Sequence, residues 1–363
     1  MLPNYVFSSD PRHENTRKAV AKMTTAFVFG LSPWKDFIRS WLPEEKVYCQ
    51  KRSISWLEFH AVWAPLITMS TSPKIYVWGY KHPAFIERFS RLGRVPLIRI
   101  EDGFIRSVAL GASKAPPLSL CFDSPVLYYD PSSQSTLERI IETYDFSADP
   151  TLLLRAGRGM NRLIGSRLSK YNTSQDVDVR RIYGPKDRKR ILVLGQVEDD
   201  MSIIKGCSRP MTNNDLVHLA VQENPGAHVI YKPHPEILHG TRLARSSPEE
   251  VRSIAQVLDQ DIALANAFET IDHVYTITSL SGFEALIRGI KVTCLGMPFY
   301  AGWGLTDDRQ SCLRRSARRS VEEVFAAAYL LYPKYFHPHE MKMISFEEAL
   351  ELLHSMKHAS AAR

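Results

Sequence analysis

Ile191-Leu-Val-Leu-Gly-Gln-Val-Glu-Asp-Asp200 is the stretch whose reading decides the fold. Ile191 to Leu194 form a short apolar run, the pattern of a strand buried on both faces. Gly195 ends the run, and Gln196, Glu198, Asp199 and Asp200 follow. Strands of that kind belong to parallel α/β sheets, where ligands sit beyond the carboxyl ends of the strands. Three carboxylates gathered there are costly to hold, so they point to chemistry; a solvated acidic turn is the plainer alternative.

Two further strands end in polar groups: His228-Val-Ile-Tyr-Lys-Pro-His-Pro235 and Val274-Tyr-Thr-Ile-Thr-Ser-Leu-Ser-Gly-Phe-Glu-Ala285. Pro233 keeps the chain extended, so Lys232 and His234 share a face. A cation beside an imidazole suits a phosphate leaving group; a histidine capping the strand end is the alternative. Ser279, Ser281 and Gly282 precede a helix at 283–288, whose free N–H groups attract anions. Plain N-capping explains the serines equally well.

Outward from there the pattern alternates: strand 190–195, helix 214–223, strand 228–233, helix 247–258, strand 274–278, helix 283–289, strand 291–295. An earlier set precedes it, with strands at 26–30, 47–50, 74–79 and 96–101 and helices at 34–42, 53–67 and 83–92. A further strand at 119–123 leads to helices near 135–144 and 151–170. Glu101 and Asp102 put carboxylates at another strand end, and Gly103 permits a sharp exit. Residues 1–22 read as a loose arm. The expected division is an N-terminal α/β domain over 1–172, a polar linker over 173–189, a second α/β domain over 190–335 and a helical tail over 336–363. The fold class is α/β, with two Rossmann-like domains facing across a cleft.

A length of 363 residues favours two domains, and 44% hydrophobic with 23% charged residues is ordinary for a globular chain. Net charge is +7, which suits an acidic substrate or anionic lipid better than nucleic acid, since no nucleic-acid-binding motif is present. Five scattered cysteines form no CxxC pair, so structural zinc is not expected and a reducing compartment is. No apolar run is long enough to span a bilayer, and the first residues do not form a signal peptide. A cytoplasmic place is expected, with peripheral contact to a membrane surface.

No GxxxxGK[ST] loop or HExxH pair occurs, so neither ATP chemistry nor a zinc hydrolase is expected. Pro298-Phe-Tyr-Ala-Gly-Trp-Gly-Leu-Thr-Asp307 is either a packed loop or a stacking platform for a base or sugar. Arg314, Arg315, Arg318 and Arg319 form a basic cluster that reads as solvated surface or as a contact for anionic lipid.

Six segments in this order resemble one family: 100–107 (IEDGFIRS), 116–119 (PPLS), 195–203 (GQVEDDMSI), 231–235 (YKPHP), 278–286 (TSLSGFEAL) and 298–306 (PFYAGWGLT). The family is that of the retaining β-Kdo glycosyltransferases of bacterial capsule and lipopolysaccharide O-antigen synthesis, the KpsC and WbbB type. The resemblance covers about residues 74–335 and is weak over the first seventy. It implies a modified GT-B glycosyltransferase fold, CMP-Kdo as donor and a glycan or glycolipid acceptor, with no metal cofactor. It also implies double displacement, with Asp200 as nucleophile at Kdo C2 and Glu101 or Asp102 as general base. Lys232, His234, Ser279 and Ser281 would hold the CMP phosphate, Glu284 the ribose and Arg106 the Kdo carboxylate; Gln196, Glu198 and Gly282 complete the expected site. Many capsule members carry two such modules, and this chain has one.

Two other readings compete. One is a different GT-B enzyme, sialyltransferase-like or using a nucleotide-diphosphate sugar. The other is a non-catalytic component of capsule assembly, in which the arginine cluster and tail helices form the contact surface.

Overall fold

A computed structural model of the chain describes residues 23–50, 53–109, 114–172 and 177–361. The expected arm at 1–22, and residues 173–176 of the expected linker, lie outside the described residues. Thirteen strands are present among the described residues. β1 (Thr24–Phe29), β2 (Glu45–Cys49), β3 (Pro73–Trp78), β4 (Leu97–Asp102) and β5 (Ser119–Asp123) come first. β6 (Arg190–Leu194), β7 (His228–Lys232), β8 (Gln256–Val257), β9 (His273–Thr276), β10 (Lys291–Cys294) and β11 (Asp307–Asp308) form the middle. β12 (Lys334–His337) and β13 (Lys342–Ile344) close the series.

These strands make two sheets, ordered β13-β12-β5-β4-β3-β1-β2 and β11-β10-β9-β6-β7-β8. The fold is α/β, with two layered halves. Every pairing in the second sheet is parallel, and its order is the doubly wound 3-2-1-4-5-6 pattern counted from β6. All five residues of β6 are buried, which is why the chain carries only apolar side chains at 191–194. The first sheet is mixed: β2, β1, β3 and β4 run parallel, while β5 pairs antiparallel with β4 and β12.

The strand pairing crosses the expected 335/336 boundary, because β12 and β13 return to the first sheet before the last helix, Phe346–Ala361. The helix expected at 247–258 is instead a 3-10 turn, Pro248–Val251, followed by β8. Edge pairing with β7 satisfies that backbone, Leu258 N donating to Tyr231 O at 2.9 Å, and so overrides a helix-like spacing of apolar residues. Gly103 serves close approach rather than unusual torsion. Its N–H donates to Ser119 O at 2.9 Å, and a Cβ there would sit 2.2 Å from Ser119 Oγ.

The largest apolar cluster spans both halves. It joins Phe104 and Leu137 of the first to Leu192, Phe283 and Phe299 of the second, and to Tyr329 and Phe346. The arginine cluster tightens this junction instead of facing lipid. Arg315, 7% exposed, donates from Nε to Glu138 Oε2 at 3.1 Å and from Nη1 to the carbonyls of Pro298 and Ala301. Arg314 Nε reaches the other Glu138 oxygen at 2.9 Å, and Arg319 binds the carbonyls of Ile141 and Glu142. Only Arg318 keeps a plain surface position. No helix among the described residues is long and apolar enough to cross a membrane.

Candidate active site

A cleft of about 460 Å³ lies where the carboxyl ends of the two sheets meet. On the second half it opens at the point where strand order reverses, between β6 and β9, the usual ligand position in such sheets. Gln196 bridges that point. Its side-chain amide accepts from Thr278 N at 2.8 Å and donates to Thr278 Oγ1 at 3.1 Å, locking the two strand ends together. Gly195 is required by proximity: a Cβ there would lie 3.1 Å from both Lys232 O and Pro233 Cα.

Asp200 lines the cleft and caps the short helix Met201–Gly206, one carboxylate oxygen accepting from Ser202 N at 2.8 Å. That cap fixes the direction of its side chain. Its charge reaches Tyr129 of the first half and His234 of the second. Asp199 turns away to Arg242, whose guanidinium holds that carboxyl below the usual carboxylate range. Composition and spacing do not separate these neighbours; the family resemblance does, in favour of Asp200.

Lys232, 6% exposed, points into the cleft with Asp261 Oδ1 3.6 Å from its Nζ, and burial pulls its pKa down. His234 caps the turn Pro235–Leu238 by accepting from Glu236 N at Nδ1, 3.2 Å away. Accepting at Nδ1 leaves the proton of the neutral ring on Nε2. Burial, and then Lys232, push its pKa down to about 4, so the ring is a neutral N–H donor near pH 7. His234 therefore both caps this turn and lines the cleft.

Ser279 and Ser281 also line the cleft. Ser279 Oγ accepts from Ser281 N at 3.2 Å, which closes the cap yet leaves the hydroxyl proton free to donate. Glu284 lines the floor, 2% exposed, with Oε2 lacking a hydrogen-bond partner. Burial lifts its carboxyl to about 7, against the opposing pull of Arg288 and of Lys170 N–H.

The facing wall carries Glu101 and Asp102 at the end of β4. Burial first, and the Asp102 charge second, raise Glu101 to about 7. Asp102 Oδ2 accepts from Arg106 Nε at 2.7 Å. Two lysines flank this pair, neither of which stood out in the sequence. Lys170 lines the cleft; burial lowers its pKa, but Tyr171, Asp102 and Glu101 outweigh that and hold it raised. Lys35 sits over the Trp78 ring, and burial brings its pKa to about 8 against the pull of Asp102 and Glu101.

Three expected site residues do not reach the cleft. Glu198 is 4% exposed and spends its carboxylate on Asn213 N at 2.6 Å, Arg245 N at 2.8 Å and Ser246 N at 2.9 Å, fixing a loop. Arg106 is 1% exposed and stands behind Asp102, with Nη1 on Ser107 Oγ. Gly282 is buried because the Tyr300 hydroxyl fills the space a Cβ would take, 2.2 Å away. Arg242 was missed: it lines the cleft beside Asp200 from a loop without regular periodicity. The first part of the 298–307 loop is packed core, with Phe299 4% and Trp303 1% exposed, though Pro298 and Phe299 border the cleft, and its end at Asp307 is exposed. Among the described residues no three His, Cys, Asp or Glu side chains gather as a metal-binding group.

Comparison with known proteins gives consistent matches. The family described as capsule polysaccharide biosynthesis protein matches residues 74–336. Lipopolysaccharide-processing protein LpsZ of Rhizobium meliloti is 46% identical over 310 residues, covering 85% of this chain and 69% of LpsZ. Capsule polysaccharide modification protein LipA of Neisseria meningitidis serogroup B is 39% identical over 288 residues, covering 79% of this chain and 40% of LipA. Among solved structures, the β-Kdo 2,4 transferase of Thermosulfurimonas dismutans KpsC is 33% identical with a TM-score of 0.78, covering 92% of this chain and 98% of that one. The β-Kdo 2,7 transferase of the same KpsC is 33% identical with a TM-score of 0.72, covering 92% and 99%.

Proposed function

The chain belongs to the capsule polysaccharide biosynthesis protein family, and from that premise we propose that it is a Kdo transferase of capsule or lipopolysaccharide synthesis. In this reading it takes Kdo from CMP-Kdo and delivers it, with β configuration retained, to a glycan or glycolipid. The observation that carries the reading is the sharing of one cleft by Asp200, the Lys232–His234–Ser279 group and, on the facing wall, Glu101.

The chemistry runs in two displacements. Asp200 attacks C2 of Kdo, the bond from C2 to the phosphate oxygen breaks, and CMP leaves with the electron pair. Lys232, the Nε2–H of His234 and the hydroxyls of Ser279 and Ser281 meet the charge growing on that phosphate. Glu284, on the cleft floor with Arg288 Nη1 4.0 Å from its Oε2, receives the ribose hydroxyls in this reading. Glu101 then removes the proton from the acceptor hydroxyl, which attacks C2 and releases Asp200; two inversions restore the starting configuration. Arg242, which lines the cleft where the buried Arg106 does not, takes the Kdo carboxylate in this reading. Charge neutralisation by these side chains leaves no task for a divalent ion, so EDTA should not slow the reaction. The proposed place of action is the cytoplasmic face of the inner membrane.

The test is a donor screen. CMP-Kdo with a Kdo- or sugar-terminated acceptor should give a product one Kdo heavier, together with CMP. Thermal stabilisation by CMP but not by UDP or GDP supports the same donor class; a response to UDP or GDP alone overturns it.

A further inference from the structure

Two helical segments cover one face of the first sheet, one over 56–69 between β2 and β3 and the other Ala84–Gly93 between β3 and β4. They pack on each other through Phe59 with Phe85 and Phe89, and their inner faces close the cluster around Phe27, Phe29 and Ile67. Their outer faces are unusual. Trp56, Leu57, Val62, Leu66 and Met69 all lie exposed within fourteen residues, five of the fifteen large apolar side chains exposed among the described residues. Met69 is 86% and Leu57 70% exposed. Isolated exposed apolar residues are ordinary, but this clustering on one helix is not. Across 53–73 the only formal charge is Glu58, which accepts from Gln50 Nε2 at 2.7 Å.

The neighbouring helix supplies the complementary feature. Arg88 and Arg91 are exposed on its outer side and form no ion pair with a described residue, and Leu92 beside them is 72% exposed. The one acid of that helix, Glu87, is taken by Arg99 at 3.2 Å and His82 at 3.4 Å. An apolar helix face with a tryptophan, bordered by uncompensated arginines, is the pattern of a surface that lies in the interface of an anionic bilayer. Direction also matters. Each helix follows a strand of the parallel part of the sheet, so both begin at the carboxyl edge, where the cleft opens.

We propose that the outer face of residues 56–69, with Arg88 and Arg91, docks this protein on an anionic lipid bilayer with the Glu101 side of the cleft turned toward the membrane. This deepens the proposed function and rests on it for one point only, that a lipid-borne acceptor enters from that side. Docking itself is independent of the reaction.

The experiment is flotation with vesicles of phosphatidylglycerol and phosphatidylcholine, compared with phosphatidylcholine alone. Wild-type chain should bind the anionic vesicles at least about tenfold better, and high salt should erase the preference. Leu57→Ser/Met69→Ser should lose binding by about tenfold or more while retaining the wild-type melting temperature, since these side chains, 70% and 86% exposed, already lie in water. Arg88→Glu/Arg91→Glu should lose the preference for the anionic lipid. Absence of binding by the wild type, or undiminished binding by both variants, overturns the proposal. So does a lipid-free dimer that the serine variant abolishes, because the face would then be covered by a second copy. Transfer to a soluble acceptor should be equal in wild type and serine variant; if wild type shows no transfer while vesicle binding holds, the proposed function fails and the docking surface stands.

Discussion

Arg106 Nε donates to Asp102 Oδ2 across 2.7 Å, so one of the two carboxylates at the end of β4 already has a fixed cation behind it. Among the described residues no cation is hydrogen-bonded to Glu101; Lys170 and Lys35 act on it from nearby, yet burial followed by the Asp102 charge lifts it to about 7. A general base works best with a pKa near the working pH, which favours Glu101 over Asp102 for the proposed task.

Transfer should therefore fall as pH drops below about 7, because protonated Glu101 cannot accept the acceptor's proton. Glu101→Gln should lower kcat/KM by roughly 10²–10⁴-fold and remove that limb of the profile. His234→Ala should slow transfer yet keep the limb, since His234 titrates near 4 and stays neutral throughout. A pH–rate series on the three proteins checks both statements.

Glu284 couples the site to stability. Its carboxyl titrates near 4.5 when unfolded and about 7 when folded. Between those values the folded chain holds a proton that the unfolded chain has released. The stability tied to this proton is complete below the unfolded value and is lost as pH rises through the folded one. Glu284→Gln should thus stabilise the apo protein at pH 8 relative to wild type, by up to on the order of 3 kcal/mol, and show little difference at pH 4. Denaturation at the two pH values measures this; CMP affinity should fall in the same variant.

Arg315 and Glu138 form an ion pair in which both side chains are nearly fully buried. Arg315→Ala leaves a buried carboxylate and two unsatisfied carbonyls, a loss of about 3–5 kcal/mol. Arg318→Ala, at the surface three residues further on, should change stability by less than about 0.5 kcal/mol. Chemical denaturation midpoints separate the two.

Gly282→Ala should cost roughly 1–3 kcal/mol, because the new methyl meets the Tyr300 hydroxyl. Tyr300→Phe in the same chain should recover part of the loss. Recovery of stability with unchanged CMP affinity identifies Gly282 as packing rather than binding.

Much of this arrangement was legible in the sequence, for identifiable reasons. Residues 191–194, 228–232 and 273–276 are buried strands whose polar ends follow immediately, so apolar runs broken by Lys232, His234 or Ser279 point at a cleft. What the sequence hides is the direction of a side chain within a polar run. Glu198, Asp199 and Asp200 look alike in order, yet one closes a loop, one meets Arg242 and one caps a helix at the cleft. Long-range pairing is equally hidden: nothing local in 314–319 announces that Glu138 waits on the other half, so a basic cluster reads as surface. Lys35 lies in a 3-10 turn and Lys170 beyond the end of the helix Pro150–Gly165, although helices are expected over 34–42 and 151–170, and Arg242 comes from a loop without periodicity.

The most direct test of the central claim is intact-mass analysis after brief exposure to CMP-Kdo without acceptor, followed by peptide mapping. The account predicts a protein heavier by one Kdo residue, with the added mass on the peptide containing Asp200 and absent from Asp200→Asn. An adduct on another residue, or steady transfer by Asp200→Asn, would contradict it.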